Sequence, residues 1–197
     1  MTAIKNICVF CGSSIGARAE YGEAAHSLGI ELAHHEIGLV YGGGITGLMG
    51  LIADSTLSHG GTVIGIIPEA LVRKEIMHNR LSEVHVVDSM HERKAMMAQR
   101  SDAFVALPGG FGTMEELFEV ITWAQLGIHH KPILLLNVSG YFDPLLSFIH
   151  HALVEGFIRE IDPALIRSTD DVHQIIPLLQ EKPDQDFRPK WMDISQT

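Results

Sequence analysis

Mostly apolar residues fall into short runs at 7–11, 38–41, 62–67, 84–87, 103–107 and 132–136, one of them interrupted by His85, and several are closed by glycine or proline. Runs this short and this apolar predict strands buried on both faces. Between them the pattern changes to helical spacing. Residues 17–35 carry Leu28 and Leu32 one turn apart, 48–58 reads as helical, and 117–126 repeats apolar residues until Gly127. Ser89 can cap a helix to about Arg100, with Glu92 completing a capping box, and Asp143-Pro144 opens another with proline at its first position. A last short strand is expected at 164–166, and a final helix from Asp170 or Asp171 to about Leu179. Segment 69–82 is charged and poorly patterned, which predicts a loop or short helix able to fold over a site.

Strands alternating with helices through short turns predict an α/β fold, a doubly wound parallel sheet in a three-layer α/β/α arrangement. Without a repeat, a low-complexity stretch or a linker, residues 1–180 read as one domain and 181–197 as a polar tail. Ligands of such sheets bind beyond the carboxyl ends of the strands, near a switch point in strand order. Three glycine-bearing loops occupy such ends: Gly12-Ser13, the loop at 42–47 with Gly43 and Gly44, and the loop at 109–113.

Charge narrows the partners. Against 24 acidic residues stand 14 basic ones, a formal net charge of −10. A nucleic-acid or anionic-membrane binder needs a basic footprint, so neither partner is expected, while a small phosphorylated ligand held by a few local cations remains open. No apolar run approaches a membrane span, and the N-terminus lacks a signal-peptide pattern, so a cytoplasmic location is expected. Cys8 and Cys11 sit three apart in a strand and face opposite ways, which predicts buried structural thiols rather than a disulfide or metal pair. The 12 histidines include adjacent pairs, but neighbours on a helix diverge by about 100° and none stands in a His-Glu-x-x-His frame. No metal and no cofactor are expected.

The chemistry concentrates in Leu107-Pro108-Gly109-Gly110-Phe111-Gly112-Thr113-Met114-Glu115-Glu116, a strand end, a glycine turn and a helix start. Glycines admit a ligand close to the backbone, and the helix start offers free N–H groups and a positive dipole end, a combination that favours phosphate. Two readings of the glutamates stand side by side. Thr113-x-x-Glu116 has the spelling of a capping box, with Thr113 at the N-cap. Paired carboxylates beside an anion site, however, point to chemistry. Met90-His91-Glu92-Arg93-Lys94 places two cations at a helix start, where the dipole disfavours them; they suit either an anionic partner or a salt-bridged surface. Gly42-x-Gly44-x-x-Gly47, with Glu69 further on, has the letters of a dinucleotide fingerprint. It follows the second strand, and its acid follows a proline, which weakens an oxidoreductase reading. No Walker sequence is present.

Pro108 through Glu116 spells Pro-Gly-Gly-x-Gly-Thr-x-x-Glu, and Arg93-Lys94 precedes it. With the Cys11-Gly12-Ser13-Ser14 and Tyr41-Gly42-Gly43-Gly44 loops and the stretch 121–129, these residues resemble the LONELY GUY (LOG) family of phosphoribohydrolases from Asn6 to about Leu179. The resemblance implies a Rossmann-like fold, a homodimer, and hydrolysis of a nucleoside 5′-monophosphate, characteristically with an N6-prenylated adenine, to free base and ribose 5-phosphate. It makes Arg93 and Glu116 catalytic. It makes Glu75, Lys94, Gly109, Gly110, Phe111, Gly112, Thr113, Met114, Glu115 and Thr122 nucleotide contacts. Similar sequences have carried a lysine decarboxylase label, but no recognisable pyridoxal-phosphate lysine context is present in this chain. A broader nucleotidase and a non-catalytic nucleotide carrier are the alternatives.

Overall fold

The structure, a computed structural model, describes residues 4–72, 77–158 and 165–181. Seven parallel strands form one sheet: β1 Asn6–Phe10, β2 Gly38–Tyr41, β3 Val63–Pro68, β4 Glu83–Val87, β5 Ala103–Ala106, β6 Ile133–Leu136 and β7 Ile166–Thr169, in the order β4-β3-β2-β1-β5-β6-β7. The helices are α1 Ala19–His34, α2 Gly47–Ser58, α3 Glu69–Val72, α4 Met90–Gln99, α5 Phe111–Gln125, α6 Asp143–Val154 and α7 Ile175–Gln180.

Alternation of side chains along the central strands divides the core in two. Ile7, Val9 and Cys11 join Leu28 and Leu32 of α1 and Leu48 and Ile52 of α2 on one face. Cys8 and Phe10 join Met97 of α4 and Leu117, Val120 and Ile121 of α5 on the other. Each such aliphatic side chain, buried from water, contributes about 1.5–3 kcal/mol. The two cysteines therefore lie on opposite faces, buried and free. The chain leaves β1 towards β2 through α1 on one face, and leaves β5 towards β6 through α5 on the other. β1 and β5 are neighbours, so their loops part at the switch point of the sheet and open a crevice there.

Four local expectations change. Helix α5 starts at Phe111 with Gly110 as its N-cap, six residues before the apolar repeat begins, so Thr113 lies inside the first turn and the Thr113/Glu116 capping box does not form. At α4, Ser89 Oγ accepts the Glu92 N–H at 3.1 Å as expected, but the Glu92 carboxylate reaches the Asp88 N–H at 3.0 Å, one residue before the cap. The last strand is β7, not 164–166, of which residue 164 lies outside the described residues. Asp171 caps a 3₁₀ turn, Val172–Gln174, that leads into α7. Of segment 69–82, α3 forms as a single turn, and His78 then bonds its N–H to the Gly43 carbonyl at 3.0 Å. The tail beyond residue 181 lies outside the described residues. Among the described residues no helix is long and apolar enough to cross a membrane.

Candidate active site

The crevice between β1 and β5 is stitched by backbone. The Gly12 N–H donates to the Pro108 carbonyl at 3.0 Å, and the Gly12 carbonyl accepts the Leu48 N–H at 3.0 Å. Gly109 must lack a side chain: a Cβ there would overlap the Thr113 hydroxyl and come within 2.8 Å of the Gly12 nitrogen. From the other side the Tyr141 hydroxyl donates to the Gly109 carbonyl at 2.5 Å. These loops enclose a cavity of about 300 Å³, walled by Ser13, Ser14, Tyr21, Pro108, Gly110 and Tyr141 among others. Gly110, the N-cap of α5, lines this cavity, so the start of the helix, with its positive dipole end and its first-turn amides that have no carbonyl one turn back to bond, lies at the rim. Gly110 and Gly112 leave open space where a side chain would stand.

Beside this cavity, α4 and α5 bring charged groups together. Adjacent Arg93 and Lys94 point in directions about 100° apart, as do Glu115 and Glu116 on the facing helix, and the pairs meet in register. Arg93 Nη2 lies 3.6 Å from Glu116 Oε1. Lys94 Nζ bonds Glu115 and, at 3.0 Å, Glu119. Arg93 and Lys94 are buried, so the surface reading of these cations fails. The Arg93 guanidinium packs over Gly42, where a Cβ would fall on Nη2 and 3.0 Å from the guanidinium carbon. Its Nε is buried without a hydrogen-bond partner among the described residues.

Burial dominates the electrostatics. It pushes the Glu116 carboxyl up to about 7; Arg93 and Lys94 pull it down, while Glu115 and Glu119 add to the rise. Burial alone would lower Lys94, but its bonds to Glu115 and Glu119 outweigh that and raise it. Burial and the neighbouring Glu116 raise the thiols of Cys8 and Cys11. A carboxyl pushed up towards neutrality against a fixed cation can give or take a proton at cellular pH.

Of the residues singled out in the sequence, Arg93, Lys94, Glu115 and Glu116 converge, and Gly12, Ser13, Gly109 and Gly110 line the adjoining cavity; Phe111 and Gly112, exposed, and Thr113, buried, form the first turn of α5, and Met114 follows half-buried. Gly43 and Gly44 bind segment 77–78 instead: Gly43 accepts His78, and Gly44 bridges Met77. Gly42 makes room for Arg93, Gly44 for Met49 and Gly47 for Ser13, so the dinucleotide-like glycines fit the protein itself rather than a pyrophosphate. Thr122 is exposed, and its hydroxyl donates to Phe118 of its own helix at 2.7 Å. Glu75 lies outside the described residues. Two participants went unassigned in the sequence: Glu119, whose signal is the shared helix face with Glu115, and Tyr141, which has no local signal.

The family model described as "Possible lysine decarboxylase" matches residues 49–179. A cytokinin riboside 5′-monophosphate phosphoribohydrolase of Arabidopsis thaliana is 54% identical over 177 residues, covering 90% of this chain and 83% of that protein. One from Oryza sativa subsp. japonica is 52% identical, covering 90% and 73%. Among solved structures, a molybdenum cofactor binding protein of Rippkaea orientalis has a TM-score of 0.67 at 21% identity, covering 90% of this chain and 96% of that one. The molybdenum cofactor carrier protein of Chlamydomonas reinhardtii has 0.65 at 23%, covering 89% and 95%. At that identity the likeness is one of fold.

Proposed function

This chain belongs to the LONELY GUY family of phosphoribohydrolases, and from that premise we propose that it hydrolyses the N-glycosidic bond of an adenosine 5′-monophosphate, N6-prenylated or plain. The products are free base and ribose 5-phosphate. The observation that carries the site assignment is the buried Arg93–Glu116 pair beside the α5 amides, with Glu116 released from any capping role.

The 5′-phosphate sits on the Gly110 to Thr113 amides, and Glu115 holds ribose hydroxyls. As the C1′–N bond breaks, positive charge grows on the sugar as in glycoside hydrolysis, and the Glu116 carboxylate faces it. A water oxygen bonds C1′ as the C1′–N electron pair departs with the base; the water proton goes to Glu116 and is then returned to the base nitrogen, which regenerates the carboxylate and leaves a neutral base. Arg93 stays charged throughout, so it positions Glu116 and balances charge rather than donating a proton. Lys94 does not suit a pyridoxal-phosphate Schiff base, which needs a neutral amine, because Glu115 and Glu119 hold it as ammonium. The paired acids favour catalysis over a carrier role.

The working unit is a cytoplasmic homodimer; the exposed Phe111, Ile128, Phe148 and Phe157 supply apolar surface for a second copy. Chromatography of AMP and N6-isopentenyladenosine monophosphate after incubation tests the reaction. Base plus ribose 5-phosphate is expected, and the ratio of rates separates a cytokinin-directed enzyme from a broader nucleotidase. Intact nucleotides would refute the proposal. Light scattering tests the dimer.

A further inference from the structure

Three carboxylates face two cations at the α4–α5 contact, and the roles proposed above use only two of the three. Lys94, with a side chain only 9% exposed, binds both Glu115, which is 53% exposed, and Glu119, which is 22% exposed. Glu115 and Glu119 stand one turn apart on the same face of α5, close enough for one ammonium with three donors to take both. Glu115 is thus the outer arm of the pair, and Glu119 the inner one.

That arrangement answers a difficulty in the binding step. Glu115 bonds Lys94 through one oxygen, Oε1, and a swing of the carboxylate outward to take both ribose hydroxyls gives up that bond. Turning it away would strip a nearly buried ammonium of its anion, which is strongly unfavourable. A second carboxylate that stays in place removes most of that cost. We propose that Glu119 is a positioning residue that keeps Lys94 paired while Glu115 passes from Lys94 to the ribose hydroxyls. The proposal rests on the nucleotide reading above and deepens it: sugar affinity is set by a residue that does not touch the sugar.

Glu119→Gln keeps the shape and an acceptor oxygen but removes the charge, so Lys94 depends on Glu115 alone and holds it against the incoming ribose. Inorganic phosphate, which engages the amides without needing Glu115, is the internal control. Calorimetric titrations of the full chain would compare wild type, Glu119→Gln, Lys94→Met and the double variant with ribose 5-phosphate and with inorganic phosphate. Expected is about tenfold weaker ribose 5-phosphate binding in Glu119→Gln, the scale of one charge-assisted hydrogen bond, with phosphate binding as in wild type. In the Lys94→Met background the same substitution should have no further effect, since Glu119 acts through Lys94.

Equal weakening of both ligands would mean a structural role only and overturn the proposal, as would unchanged sugar binding. A loss that persists without Lys94 would overturn the route. Ribose 5-phosphate is a product and is not consumed, so the result does not depend on turnover. A wild type that binds it but releases no base from nucleotides would refute the hydrolase reading and leave the Glu119 inference standing. A wild type that binds no sugar phosphate would overturn both.

Discussion

Replacing Glu116 with glutamine removes a charge that the fold holds against its own stability. In an unfolded chain this carboxyl titrates at its ordinary 4.5, whereas in the folded protein burial pushes it up to about 7. Between those values the unfolded chain has given up a proton that the folded chain still holds, so stability falls as pH rises through this window and stays lower above it. The gap corresponds to about 3 kcal/mol, with the pull of Arg93 already inside it. Glutamine cannot ionise, so the variant escapes the loss. At pH 5 it should melt close to wild type, and at pH 8 clearly above it, at about 2–4 °C per kcal/mol for a chain of this size. Turnover should fall at least about a hundredfold at every pH. Thermal melts of both proteins at the two pH values, with base release measured alongside, check both halves. A melting difference that does not change between pH 5 and pH 8 would refute the burial argument. Wild-type turnover in the variant would refute the catalytic assignment.

Gly42→Ala puts a methyl group where the Arg93 guanidinium lies, and a displacement of about 1 Å should lower turnover up to about a hundredfold while leaving inorganic phosphate binding intact. Arg93→Met removes the largest influence that lowers Glu116. The carboxylate then forms only at higher pH, and the acidic limb of the residual kcat/KM profile should move up from about 7. Burial raises both thiols, so Cys8 and Cys11 should resist iodoacetamide at pH 8 in the folded protein and react on unfolding; mass spectrometry reads the difference, and rapid native labelling would contradict it.

The sheet was legible because parallel strands buried on both faces leave continuous apolar runs, as in Val9-Phe10 and Leu134-Leu135. β7 was less so: it lies at the edge and is only half-buried, and its Arg167-Ser168-Thr169 carries no apolar run. The start of α5 was hidden because Phe111 is exposed and Gly112 has no helix preference, so the apolar repeat announces the helix only at Leu117. That delay produced the false capping box. The site's letters were present, but their pairing was not. That Arg93 meets Glu116 and Lys94 meets Glu115 depends on how α4 sits against α5, a tertiary register with no local spelling. Glycine at position 42 looked like room for a ligand and turned out to be room for an arginine.

The double engagement of the Gly12 backbone has a consequence for the order of events during synthesis. Its carbonyl is bonded by Leu48, but its N–H waits for Pro108, nearly half the chain later. A nascent polypeptide that has emerged only through β4 can assemble one wall of the crevice and not the other, because β1 still lacks β5 beside it. Closure over so long a separation is slow, since its entropy is lost before the contacts form. Phosphate affinity should therefore appear abruptly with chain length, once β5 and the first turn of α5 have left the ribosome, rather than growing with each added strand.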